Sequence, residues 1–156
     1  MNVVSALKID EGLSLVPYID SEGYPTVGNG IRIGPKKASL DMYQFEINEE
    51  VAEAWLKCAL NKKIEQCKSF KRIKLALIAC RDSEVRHSVI LCMAYQLGAS
   101  GLNGFKKFLG AVIDNNWREA HDEMLDSLWA KQVPNRANRL ANMMLCGEWD
   151  SYYITK

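Results

Sequence analysis

From Val85 to Leu97 the chain is apolar on nearly every side: Val85, Val89, Ile90, Leu91, Cys92, Met93, Ala94 and Leu97 leave little room for a polar face. A helix with that pattern belongs at the buried centre of a bundle, because no orientation puts a soluble stripe toward water. Gly98 ends it. A central helix requires a shell, and the surrounding sequence supplies one. After Lys74 the chain reads as helical to its end, with short helices at about 103–113, 116–124, 126–132 and 135–145. Gly101, Gly104, the Asn115-Asn116 pair, Pro134 and Gly147 punctuate them.

The N-terminal third has a different texture. Val3, Val4, Leu7 and the aliphatic stem of Lys8 recur at helical spacing, and Gly12 is a left-handed terminator just after Glu11. Val16, Tyr18, Tyr24, Val27 and Ile31 are strand formers, interrupted by Asp20-Ser21-Glu22-Gly23 and Gly28-Asn29-Gly30. They predict two or three short antiparallel strands. Residues 40–46 are weakly specified. Asn48 then caps a helix over about 49–68, with Glu49 and Glu50 in its first turn and Leu56, Leu60, Ile64 and Cys67 on one face. The expected architecture is α+β and predominantly helical, with a small sheet lobe over about 13–60. A helical lobe over about 70–156 takes in the first helix, and the long helix joins the two.

Composition narrows the function. The chain has 156 residues, 48% of them apolar, enough for a sizeable core in one folding unit without metals or disulfides. A net charge of +1 gives no nucleic-acid footprint. The five cysteines (Cys58, Cys67, Cys80, Cys92 and Cys146) form no Cys-x-x-Cys pair, so free thiols in a reducing compartment are expected. His87 and His121 stand apart and fit no ligand spacing, and no metal or cofactor is expected. Met1–Leu7 lacks the basic and apolar regions of a secretory signal, and no apolar run is long enough to span a bilayer. The expectation is a cytoplasmic, monomeric protein with no membrane insertion.

The chemistry-bearing pattern is Glu11, Asp20 and Thr26, spaced Glu-x8-Asp-x5-Thr across a helix end and a hairpin. Two carboxyls held on different elements are the equipment for cutting a glycosidic bond. Each has an ordinary alternative: an exposed glutamate, an aspartate opening a turn through its side chain, a β-branched strand residue.

Ile9-Asp10-Glu11-Gly12-Leu13, Tyr18, Asp20, Glu22 through Gly28 and Gly30 resemble the N-terminal lobe of the T-even phage lysozymes, glycoside hydrolase family 24. Tyr95-Gln96-Leu97-Gly98, Gly101, Gly104-Phe105, Trp117, Ala120, Trp129, Gln132, Pro134-Asn135-Arg136-Ala137, Arg139, Gly147 and Trp149 fall in register with the second lobe. The similarity covers almost the whole chain and is weakest from about 32 to 80. It implies a bilobed lysozyme-like fold with a cleft between the lobes. It also implies a phage endolysin that hydrolyses the β-1,4 bond between N-acetylmuramic acid and N-acetylglucosamine in peptidoglycan, with inversion. The missing export signal then implies dependence on a holin to reach the wall from the host cytoplasm.

The resemblance makes Glu11 the general acid. A helix C-terminus and partial burial both disfavour its carboxylate form. It makes Asp20 the carboxylate that stabilises positive charge and orients water, and Thr26 the hydroxyl that helps hold that water. Arg136 resembles the arginine that reaches the acid glutamate, positioning it more than tuning it. Tyr95 and Gln96 match an aromatic and an amide that line the cleft, and Gly30 matches a corner whose backbone can meet the sugar.

Departures from the family pattern bear on specificity. Ile31 and Ala59 stand where the family has a histidine–aspartate pair, so no corresponding ion pair is expected. Arg32 replaces an apolar rim residue and is a candidate for substrate binding. Phe108 and Glu123 replace polar positions that contact saccharide in relatives, making them substrate candidates by position alone. Transglycosylation to an anhydro-sugar, chitin-type cleavage, a wall-binding descendant and a virion-borne role are the alternatives.

Overall fold

The computed structural model describes residues 1–155. By internal contacts the chain divides into two units, Val4–Asn61 and Met1–Val3 with Lys62 onward, the division falling inside one long helix.

The first unit opens with α1 (Val3–Glu11), whose Ala6 and Leu7 are fully buried. Gly12 stops the helix with φ +70°, a conformation that a side chain would strain. Three antiparallel strands follow in sequence order: β1 (Ser14–Ile19), β2 (Pro25–Gly28) and β3 (Ile31–Arg32). Tyr18 pairs with Thr26 and Thr26 with Arg32. The central strand β2 is buried along its whole length. A 3-10 turn at Leu40–Met42 leads to α2 (Glu49–Lys68), and the Asn48 side chain accepts from the Val51 N–H as its cap. Ala52 of α2 packs under Gly28: a Cβ built there would lie 3.4 Å from the Ala52 methyl.

The expected grouping put the first helix with the helical half. Its contacts instead place Val4–Glu11 with the sheet. Two side-chain links join the helix to the rest of that unit. Lys8 pairs with Glu53 at 2.9 Å, and the Asn29 side-chain amide donates to the Gly12 carbonyl.

The second unit contains α3 (Lys71–Ala79), α4 (Glu84–Asn103), α5 (Lys106–Ile113), α6 (Trp117–Leu125), α7 (Leu128–Gln132), α8 (Pro134–Cys146) and α9 (Ser151–Ile154). Val85 and every residue from Ser88 to Ala94 are buried, as the apolar pattern requires of a central helix. Gly98 interrupts α4 with φ 72° and ψ 163°, after which a further helical turn runs to Asn103. The helix expected from 103 therefore starts later, at Lys106, because residues 99–103 belong to the continuation of α4. Contacts of α8 with α4, α6 and α7, and of α5 with α3 and α6, enclose the core. The C-terminus of α8 is capped from outside the helix. Arg86 donates from Nε to Met144 O at 2.9 Å and from Nη2 to Leu145 O at 3.0 Å. A cation at that end also complements the helix dipole.

Candidate active site

The N-terminal unit gathers Glu11, Asp20, Thr26, Gly30 and Arg32 around its small sheet. Glu11 is the last residue of α1, half-buried. The Asn29–Gly12 hydrogen bond fastens the β2–β3 corner to that helix end. As a result, a Cβ at Gly30 would stand 3.6 Å from Glu11 Oε2. That is an ordinary van der Waals separation, so it is the backbone, with φ +78°, that favours glycine at this position. Asn29 is 1% exposed. Sequence reading treated it only as part of a glycine corner; nothing in its residue type announces a link to a carbonyl 17 positions away.

Asp20 holds the β1–β2 turn and offers its carboxylate at once. Its Oδ1 accepts from the Glu22 and Tyr24 N–H groups, both at 2.9 Å. Its Oδ2 accepts from Arg32 Nε at 3.0 Å. The turn-opening role that aspartate commonly plays is therefore real here, and it orients the carboxylate. The Tyr24 N–H, above all, holds the Asp20 carboxyl below the usual carboxylate range; Arg32 and the Glu22 N–H add to that, against partial burial. A carboxylate has about four lone-pair positions. Three are used, and one on Oδ2 remains for a water or a developing cation.

Thr26 sits on β2, 1% exposed, and its hydroxyl donates to the Tyr24 carbonyl at 3.1 Å. With its proton committed there, Oγ1 is left as an acceptor. Tyr18, the register partner of Thr26, senses both carboxyls. Burial pushes its phenol pKa up, with the negative charges of Asp20 and Glu11 contributing in that order. A phenol kept protonated beside two acids is a hydrogen-bond donor, and sequence reading assigned Tyr18 no role beyond a strand former in the motif.

Arg32, the candidate for substrate binding, donates from Nη2 to Glu22 Oε2 at 2.6 Å and from Nε to Asp20, and its guanidinium lies 4.1 Å from the Tyr24 ring centroid.

The remaining predicted residues lie in the helical unit. Tyr95 is half-buried on α4. Gln96 is exposed, and its Oε1 accepts from Trp129 Nε1 at 3.0 Å, which fixes the amide so that its NH₂ end is the one offered to a ligand. Arg136 occupies the first turn of α8, half-buried. Phe108 is 1% exposed and packs edge-on against Phe105. Its ring is drawn into the core by its apolar area. Glu123 is half-buried and pairs with Lys107 at 3.6 Å. Phe108 and Glu123 border a cavity of about 570 Å³ that Phe105, Leu128, Trp129 and Gln132 also line.

Ile31 pairs with Val27 across the hairpin. The Asn29–Gly12 bond and the Arg32 fork brace the hairpin around it. No group of His, Cys, Asp and Glu side chains suited to a metal ion occurs among the described residues.

Comparison with known proteins gives a consistent picture. The family model described as phage lysozyme matches residues 8–142. The chain is 31% identical over 171 residues to the pre-baseplate central spike protein Gp5 of Enterobacteria phage T4, covering 99% of this chain and 29% of that protein. It is 29% identical over 168 residues to probable T4-type lysozyme 1 of Dictyostelium discoideum, covering 97% of this chain and 98% of the relative. Probable T4-type lysozyme 2 of the same organism is 29% identical over 161 residues, with coverages of 94% and 95%. The chain thus spans less than a third of the spike protein and nearly all of each Dictyostelium lysozyme.

Proposed function

This chain belongs to the phage lysozyme family, and from that premise we propose that it is a muramidase. In this reading it hydrolyses the β-1,4 bond between N-acetylmuramic acid and N-acetylglucosamine in peptidoglycan. Family membership puts it in the lysozyme class of glycoside hydrolases. The observation that carries the reading is the arrangement around the small sheet. An acid at a helix end lies near Gly30, and the hairpin carries a second, oriented carboxylate, held by Arg32, and a hydroxyl on Arg32's register partner whose proton is already committed.

Glu11 donates a proton to the leaving glycosidic oxygen as the C–O bond breaks. A water that gives one hydrogen bond to Asp20 Oδ2 and one to Thr26 Oγ1 keeps a lone pair for the anomeric carbon. Its attack inverts that carbon, its proton passes to Asp20, and Asp20 offsets the positive charge that builds on the sugar ring. Arg136 positions the acid. Tyr95, Gln96 and the Gly30 corner recognise sugar, the first through its ring face and the second through its amide NH₂.

The test is digestion of purified peptidoglycan with mass spectrometry of the products. Reducing muramic ends are expected, and Glu11→Gln should lose at least about a hundredfold in rate, the scale of a missing general acid. Full activity in that variant removes Glu11 from the role, and 1,6-anhydro ends make the enzyme a transglycosylase. As an endolysin it would wait in the host cytoplasm for a holin. Expression alone should then leave cells intact, and co-expression with a membrane-permeabilising protein should lyse them. The match to a central spike protein favours a second reading, a lysozyme unit carried on a virion. Muramidase activity in purified particles would select it.

A further inference from the structure

Arg32 is the residue whose observed contacts fit its expected role least. Its side chain is 45% exposed, yet two of its nitrogens are committed, Nε to Asp20 Oδ2 at 3.0 Å and Nη2 to Glu22 Oε2 at 2.6 Å. The guanidinium plane rests on Tyr24, 4.1 Å from the ring centroid. That stacking restricts its rotation, and the fork geometry gives each acid a separate donor. β3 is only two residues long and ends on Arg32, whose register partner is Thr26. One strand pair therefore carries both the hydroxyl of the proposed water site and the cation that holds the proposed water-orienting carboxylate.

We propose that Arg32 is a positioning residue for Asp20, clamping Oδ2 so that its one remaining lone pair is presented in a single direction. The inference rests on the muramidase reading and goes beyond it, because it moves Arg32 from substrate recognition to the catalytic carboxylate. Exposed ion pairs contribute little to stability, so a clamp this open to solvent is poorly suited to a folding role. Its effect belongs in orientation and in ionisation. Around Asp20 stand Arg32 from β3, Glu22 in the turn, Tyr18 from β1 and, acting on Tyr18, Glu11 from α1. Lys36 lies farther out, 5.8 Å from the Tyr24 ring centroid. Arg32 is the cation that bonds Asp20 directly, so its removal should let the Asp20 carboxyl rise toward the ordinary range.

Arg32→Leu, Arg32→Lys and the unaltered chain are to be compared in three measurements. These are a carbon-13 NMR titration of the Asp20 carboxyl, kcat and KM against pH on soluble uncrosslinked peptidoglycan, and thermal melting. In Arg32→Leu the Asp20 midpoint should rise, and the acid limb of kcat should move with it. At its optimum kcat should fall roughly ten- to a hundredfold, as expected for a misdirected catalytic group, while KM and the melting temperature stay near the original. Lysine keeps the charge without the fork and should recover the Asp20 midpoint more fully than kcat. An unmoved Asp20 midpoint in Arg32→Leu, or a raised KM with unchanged kcat, overturns the proposal and returns Arg32 to substrate binding. Asp20→Asn serves as the separate control: full activity there would defeat the role of Asp20 itself, whatever the Arg32 variants do.

Discussion

The side-chain amide of Asn29 donates to the main-chain carbonyl of Gly12, joining the β2–β3 corner to the end of the helix that carries Glu11. This bond sets the distance between the proposed acid and the Gly30 backbone, and it does so from a buried residue. Its energetic weight is small, because Asn29 Oδ1 is buried with no hydrogen-bond partner. Loss of the Nδ2 bond and relief of that unsatisfied oxygen oppose each other at about 1 kcal/mol each. Asn29→Ala should therefore change stability by less than about 1 kcal/mol in denaturant unfolding, while muramidase activity falls about tenfold from misplacement of Glu11. Unchanged activity would show that the corner does not govern the acid.

Arg86 should matter for stability and not for chemistry. It donates to the last carbonyls of α8, and it lies 4.3 Å from the Trp117 ring centroid. Arg86→Met keeps the stem but removes the donors, and about 1.5–3 kcal/mol of unfolding free energy should be lost, the range for hydrogen bonds to a charged group. Gly147→Ala should destabilise through the same corner. Its φ is +74° and the new methyl would meet the Arg86 guanidinium at 3.0 Å. Both variants should keep wild-type kcat at temperatures where they are folded.

Acid should loosen the link between α1 and α2. Lys57 first, and then Lys8, hold the Glu53 carboxyl down from its ordinary 4.5 to about 2. A folded pKa below the unfolded one means that the stabilisation is fully present above about pH 4.5 and is lost as pH falls through about 2. Glu53→Gln should therefore abolish one component of the stability loss in that window, and high salt should shrink it, since the groups are solvent-exposed. A Glu53→Gln stability curve parallel to the original across that pH range would contradict the assignment.

The thiols should divide into two classes. Cys58 and Cys146 are exposed, whereas Cys67, Cys80 and Cys92 are buried. Burial pushes the Cys80 thiol up to about 11 and raises that of Cys67 as well, so few thiolates form there at neutral pH. A chromogenic disulfide reagent at pH 8 should titrate two thiols rapidly in the folded protein and the rest only on unfolding. Rapid labelling of Cys80 in the folded state would mean that the core opens locally.

Periodicity and turn chemistry determined much of this protein without tertiary information. The all-round apolar run from Val85 could only be a central helix, and Ser88–Ala94 are buried accordingly. Gly12 ended α1, Asn48 opened α2, and the glycine-rich breaks marked a small antiparallel sheet of two or three strands, of which the structure has three, because each depends on local backbone geometry. Glu11, Asp20 and Thr26 were legible as a spacing, and their proposed roles came from the family resemblance. Relationships between distant side chains were not legible. That the hairpin register sets Arg32 beside Asp20, and that Phe108 packs edge-on against Phe105, could not be read from their positions in the chain. Asn29 carried no signal until it met Gly12, and Tyr18 none until it stood between two carboxyls. Sequence spacing encodes which face of an element a residue occupies. Which partner waits on that face is decided only when the elements pack, since hydrogen bonds and desolvation depend on distances of a few ångströms.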